Sequence, residues 1–144
     1  MTITLEQAQT ITAAALAHGT DQGFNPLTVA VLDPGGAIVA LARQDYSGHL
    51  RPDLAVGKAN GVLALGMTNR AIAARAADSP EFFTSVANLA GGKIFSVPGG
   101  VFVRDAAGTL LGAVGVTGDA SLNDEAAAVA GIQAAGLVAV TGAE

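Results

Sequence analysis

Two apolar runs separated by a dense turn constrain this chain more than any other feature. Leu27 to Leu32 is a continuous apolar stretch containing Thr and Val, and Ala37 to Ala42 is a second one. Between them stands Asp33-Pro34-Gly35-Gly36. Short apolar runs bounded by such turn residues read as strands joined in a hairpin. The sheet is therefore expected to be at least partly antiparallel.

The rest of the chain supplies helices to cover that sheet. Thr4 and Gln7 have the spacing of a capping box, and Leu5, Ala8, Ile11 and Ala15 repeat at helical spacing, so a first helix is expected over 4–19. Arg43 to Pro52 is a polar loop, and an Ala/Leu/Val-rich helix follows over roughly 53–66. Thr68 and Ser79-Pro80-Glu81 look like further helix starts. Ile94-Phe95, Gly100–Arg104 and Thr109–Thr117 read as strands, the last two separated by the turn Asp105–Gly108. A final helix, capped by Ser121 or Asn123, is expected to run to about Val138. The order α-ββ-αα(α)-βββ-α gives an α/β (α+β) fold, one antiparallel sheet of about five strands with helices packed on it. No linker or internal repeat divides the chain, so 1–144 is expected to be a single domain.

Charge decides what the surface can meet. Only 13% of the 144 residues are charged while 51% are hydrophobic, against about 25% charged in an ordinary soluble domain. From Ala126 to Val140 there is no charged residue at all. A helix apolar on every side is buried on every side, so one face is expected on the sheet and the other on a second subunit, which makes a homo-oligomer. Seven Lys and Arg among twelve acids, with a net charge of −5, cannot form the basic stripe that nucleic acid requires. Anionic membrane surfaces are disfavoured for the same reason. Absence of Cys excludes disulfides, thiolate metal sites and Cys nucleophiles. Without a visible secretory signal in the first residues, a cytoplasmic address is the default expectation.

Lys58 is the most unusual position, the only charge between Asp53 and Arg70. A Lys in such surroundings snorkels to water, joins an internal ion pair, or aims its cation into a pocket to hold a carboxylate. The reading adopted is the clamp, with Asp33, Asp45 and Asp53 as the nearest acids. The loop from Arg43 to Asp53 holds the densest set of functional groups, including Tyr46, His49 and Arg51. His18 reads as a favourable cation near a helix C-terminus. Gly115-Val116-Thr117-Gly118-Asp119 ends a strand before the last helix, where free amides at Thr117 and Gly118 could hold an anion. No phosphate loop, dinucleotide fingerprint, nucleophile elbow or zinc spacing occurs, and no metal site is expected.

Taken together, Val29-Ala30-Val31-Leu32-Asp33-Pro34-Gly35-Gly36, Arg43-Gln44-Asp45, Asp53-x-Ala55-x-x-Lys58-Ala59, Gly99-Gly100-Val101, Leu111 to Gly118 and Asp124-Glu125 resemble the GlcG/HbpS family over nearly the whole chain. The resemblance implies an α/β/α sandwich with a profilin-like sheet, usually in higher oligomers. Some members bind haem, some are appended to cobalamin enzymes, and others are thought to process small catabolic intermediates. Three departures stand out. The family's Lys-Ala-aromatic-Thr becomes Lys58-Ala59-Asn60-Gly61, its Gly-Gly-x-Pro becomes Gly99-Gly100-Val101-Phe102, and its Gly-Val-Ser-Gly-Gly ends here in Asp119.

Three functions follow as expectations. The first is an oligomeric binding module for haem or another planar acid, using Arg43, His49, Lys58, Thr117 and Gly118. Here Arg43 and Lys58 would face the carboxylates. Axial ligation would come from His49, Tyr46, Thr117 or Met67, with His49 the strongest donor. The second is a metal-free hydrolase, lyase or isomerase in which Lys58, Asp45 and Asp53 share acid/base work. The third is a structural partner of a separately encoded enzyme.

Overall fold

The computed structural model describes residues 1–144. In chain order the elements are α1 (Leu5–Gln22), β1 (Thr28–Leu32), β2 (Ile38–Arg43), α2 (Arg51–Leu65), α3 (Asn69–Asp78), α4 (Pro80–Leu89), β3 (Gly100–Arg104), β4 (Leu110–Thr117), α5 (Ser121–Ala134) and β5 (Val138–Val140). The sheet runs β2-β1-β4-β3-β5, and every neighbouring pair is antiparallel. The expected hairpin is β1–β2, with the Asp33 carboxylate accepting from the amides of Gly35 and Ala37 inside the turn.

Alternation along the strands splits the core into two layers. Val29, Val31, Val101, Val103, Val114 and Val116 face Ile11 and Ala15 of α1 and Ala127, Ala128 and Ile132 of α5. On the opposite face, Leu32, Phe102 and Ala113 meet Ala59 and Val62 of α2 and Ile72 of α3. The result is an α/β/α sandwich.

The α2 side is built from very small residues. A Cβ placed on Gly115 would lie 1.9 Å from the Ala55 carbonyl oxygen, and one on Gly100 would lie 2.2 Å from that of Lys58. The backbone of α2 therefore lies almost directly on β3 and β4. A second notch at Gly57 receives the Phe95 ring, which would stand 2.6 Å from a Cβ there. Asn60, at the family's aromatic position, donates to the Lys93 carbonyl at 2.8 Å. Asn60 and the Gly57 notch together hold the segment 93–95 on α2.

That docking explains one difference from the expected strands. Ile94-Phe95 is not a strand; it packs on α2 instead of pairing with the sheet. The fifth strand is Val138–Val140, paired with β3. The last helix is correspondingly shorter than expected, ending at Ala134 before Gly136, whose positive φ of 73° breaks the helical path. Neither Ser121 nor Asn123 caps it: Ala120 occupies that position and makes no side-chain bond.

A further correction concerns what covers α5. Its second face lies on α1 of the same chain, close enough that a Cβ on Gly131 would be 2.5 Å from the Ile11 carbonyl oxygen. Burial of Ala127, Ala128, Gly131 and Ile132 therefore needs no second subunit, and Ala126, Gln133 and Ala134 are exposed. The capping box at the start of α1 is complete in both directions, with Thr4 and Gln7 at 3.0 and 3.1 Å. Thr4→Ala is expected to lower unfolding stability by about 1 kcal/mol in a chemical denaturation series.

Candidate functional site

The chemistry-bearing residues gather where the N-terminus of β1, the C-terminus of β4 and the start of β3 lie side by side. Lys58 rises from α2 into this end of the sheet, and its ammonium donates to the Val116 carbonyl at 2.9 Å and to Asp124 Oδ2 at 3.0 Å. Gly99 makes the passage: a Cβ there would be 2.8 Å from Lys58 Nζ. Asp124 comes from the first turns of α5, on the opposite face of the sheet. Lys58 and Asp124 are 3% and 1% exposed, so the pair bridges the two helical layers without reaching solvent. Burial pushes the Lys58 ammonium down from its usual range and the Asp124 carboxyl up, while their mutual attraction works against both shifts.

This overturns the expected partners of Lys58. Asp33 is engaged in the β1–β2 turn, Asp45 is exposed, and Asp53 lies on the outer side of α2; none pairs with Lys58. The trio Lys58, Asp45 and Asp53 is not assembled. The strand-to-helix turn also differs from an open anion nest. The Asp119 amide donates to Asp124 Oδ1 at 2.9 Å, so the chain's own carboxylate fills it. Gly118 is closed off as well, since a Cβ there would be 2.2 Å from the Pro26 carbonyl oxygen. Asp119 accepts from Asn123 and from the Asn25 amide, and these bonds hold its carboxyl below the usual carboxylate range. The extra negative charge is a clip between loops.

A second buried acid follows directly. Glu125 takes a two-pronged contact from Arg70, at 3.1 and 2.6 Å. Neither Asp124 nor Glu125 was singled out as an ion-pair partner from sequence. The available signal was that they are the only acids in an otherwise uncharged helix.

The loop 43–53 has an ordered frame and an open tip. The Gln44 side chain accepts from the Leu27 amide, the Ser47 hydroxyl bonds to the Thr28 hydroxyl at 2.8 Å, and Arg43 donates to the Ser47 carbonyl. Tyr46 sits at a positive φ of 69° with its side chain 96% exposed. Arg51, not anticipated as a site residue, donates to Thr117 Oγ1 at 2.7 Å. His49 is exposed, and its imidazole makes no hydrogen bond.

A hollow of about 350 Å³ opens between the start of α2 and the 91–95 segment, its lining beginning at Leu50, the residue after His49. Leu50, Leu54, Val56 and Phe95 form its apolar wall, and Asp53 and Lys93 are its charged members. Lys93 has no carboxylate partner. Haem requires an iron ligand, apolar walls for the macrocycle and cations for its carboxylates. The hollow itself supplies the apolar wall and the unpaired ammonium, and the unbonded imidazole of His49 stands one residue before its lining begins. His18, by contrast, is packed edge-on against Phe24 with ring centroids 5.8 Å apart. Met67 lies in a different, apolar cavity near α4.

The family model described as haem degrading protein HbpS-like matches residues 3–133. The chain is similar in structure to a PduOC:haem complex, with a TM-score of 0.81 at 19% identity, covering 96% of this chain and 98% of that one. It is similar to the Klebsiella pneumoniae protein ORFY at a TM-score of 0.83 and 24% identity, covering 93% and 90%. A doubly substituted HbpS of Streptomyces reticuli aligns at 0.79 and 27% identity, covering 92% and 86%. No curated protein sequence matches significantly.

Proposed function

Because this chain belongs to the HbpS-like family of haem-degrading proteins, we propose that it binds haem or a similarly planar, carboxylate-bearing molecule at the hollow between Leu50 and Phe95, with the adjacent His49 as its iron donor. The observation that carries this reading is a hollow with an apolar wall and an unpaired Lys93, whose lining begins at Leu50, one residue after the exposed, unbonded His49. In that role His49 supplies a ring nitrogen to the iron. Leu54, Val56 and Phe95 exclude water from the macrocycle, and Lys93 meets a carboxylate, while Arg43 holds the loop through the Ser47 carbonyl. Lys58 and Gly118 act behind this surface as parts of its frame.

The acid/base reading has less support. Lys58 is buried on Asp124 rather than open to a pocket with Asp45 and Asp53. Haemin titration followed at the Soret band tests the binding reading. Saturation at one haemin per subunit is expected, and His49→Ala should weaken binding by about tenfold, the equivalent of roughly 1.4 kcal/mol. His18→Ala should leave the band and the affinity unchanged. A larger effect from His18→Ala would place the site elsewhere.

Self-association belongs to the same proposal. Charge content is low, and β2 is an open edge strand exposing Ile38 and Leu41, at 56% and 37%. Light scattering coupled to size exclusion should give a multiple of the subunit mass at micromolar concentration. A clean monomer refutes this part of the reading.

A further inference from the structure

α4 is the least anchored helix of the molecule, for none of its residues is fully buried and Leu89 is 90% exposed. Its inner side nevertheless covers a cavity of about 200 Å³. Phe82, Phe83 and Val86 of α4 line it together with Ile72 of α3 and Met67 from the turn after α2. The one polar member among its seven lining residues is Arg75. The Arg75 guanidinium lies over the Phe82 ring, 5.2 Å from its centroid, and pairs with no carboxylate.

Size and chemistry together narrow what such a space accepts. An apolar cavity of about 150 Å³ holds benzene, so this one accommodates one ring or a short branched chain and is too small for a tetrapyrrole. A single cation among apolar walls favours one anionic group on an otherwise apolar body. A helix held by few buried contacts is an element that opens at low cost, which provides access. We propose that the α3–α4 cavity is a second ligand site, separate from the hollow between Leu50 and Phe95, for a small apolar monocarboxylate of benzoate size, with Arg75 binding the carboxylate.

The chain contains two methionines, Met1 and Met67, so methyl-labelled methionine places one NMR probe inside the cavity and one at the N-terminus. Benzoate titrated into the full-length protein should shift the Met67 methyl resonance saturably, with a Kd of about 1 mM, and leave Met1 unmoved. Benzamide, equal in size and uncharged, should bind about fivefold more weakly, in line with a partly exposed charge contact. Arg75→Gln alters an exposed side chain and should abolish that preference while keeping the benzamide affinity. A Met67 resonance that benzoate does not move overturns the site. Equal binding of benzoate and benzamide by the unaltered protein, or a preference that survives Arg75→Gln, overturns the role of Arg75. Haemin binding at His49 is read separately, by its Soret band, and neither result depends on the other.

Discussion

Lys58→Met should lower the stability of the protein by about 3–5 kcal/mol, because it leaves the Asp124 carboxylate buried without its cation. For a chain of this length that is a fall in melting temperature of roughly 10 °C or more. Asp124 is 1% exposed, and without Lys58 its one remaining donor is the Asp119 amide. The Val116 carbonyl also loses the ammonium. Asp124→Asn in the same chain removes the stranded charge, so the double variant should recover part of the loss, with a coupling of about 1–3 kcal/mol.

The pH dependence has a defined sign. Burial already raises the Asp124 carboxyl above its ordinary value in the folded protein, and loss of Lys58 raises it further. Between the ordinary and the raised value the folded state binds the proton that the unfolded state releases, so stability falls as pH rises through that window. The deficit of Lys58→Met relative to the unaltered protein should therefore shrink as pH is lowered. Melts of the three proteins across pH measure all of this. An unchanged melting temperature for Lys58→Met would return Lys58 to a ligand-facing role.

Gly115→Ala should cost about 3 kcal/mol or more, since overpacking is normally worth 1–3 and here the obstacle is backbone. The added methyl would lie 1.9 Å from the Ala55 carbonyl oxygen and 3.0 Å from the Ala59 nitrogen, neither of which can rotate away. Gly115 does not occupy the left-handed region, so the penalty is steric rather than conformational. Relief requires α2 to move away from β4. That helix carries Leu54 and Val56 of the hollow and Arg51 on Thr117, so haemin affinity should fall in the same variant. Gly35→Ala is the matched comparison, with its nearest atom at 3.4 Å on a side chain, and should stay within about 0.5 kcal/mol. Equal denaturation midpoints for the two variants would show that α2 does not lie on β4 as described.

The parts of this fold that were legible in sequence are those in which neighbours along the chain decide the outcome. The β1–β2 hairpin follows from Asp33 to Gly36, whose turn bonds span at most four residues, and the start of α1 follows from Thr4 and Gln7, three apart. Lys58 stood out for a local reason as well, a single charge in an apolar helix. Its partner did not, because Asp124 is 66 residues away and arrives from the other side of the sheet. Acids nearer in sequence were plausible only while the path past Gly99 was unknown.

The same division separates the two short apolar segments that competed to be the fifth strand. Ile94-Phe95 and Val138–Val140 have similar local character, but a strand needs a free edge to pair with, and that edge belongs to β3. The segment 93–95 is held by Asn60 and the Gly57 notch on α2, while the chain leaving α5 turns at Gly136 and lies beside Phe102 to Arg104. Residue chemistry alone determined the runs that form β1 to β4, the turns within their hairpins, the start of α1 and the presence of one anomalous cation in an apolar helix. Tertiary structure decided which edge was paired, which acid met Lys58 and that α1 rather than another subunit covers α5, since each depends on how closely two distant backbones approach.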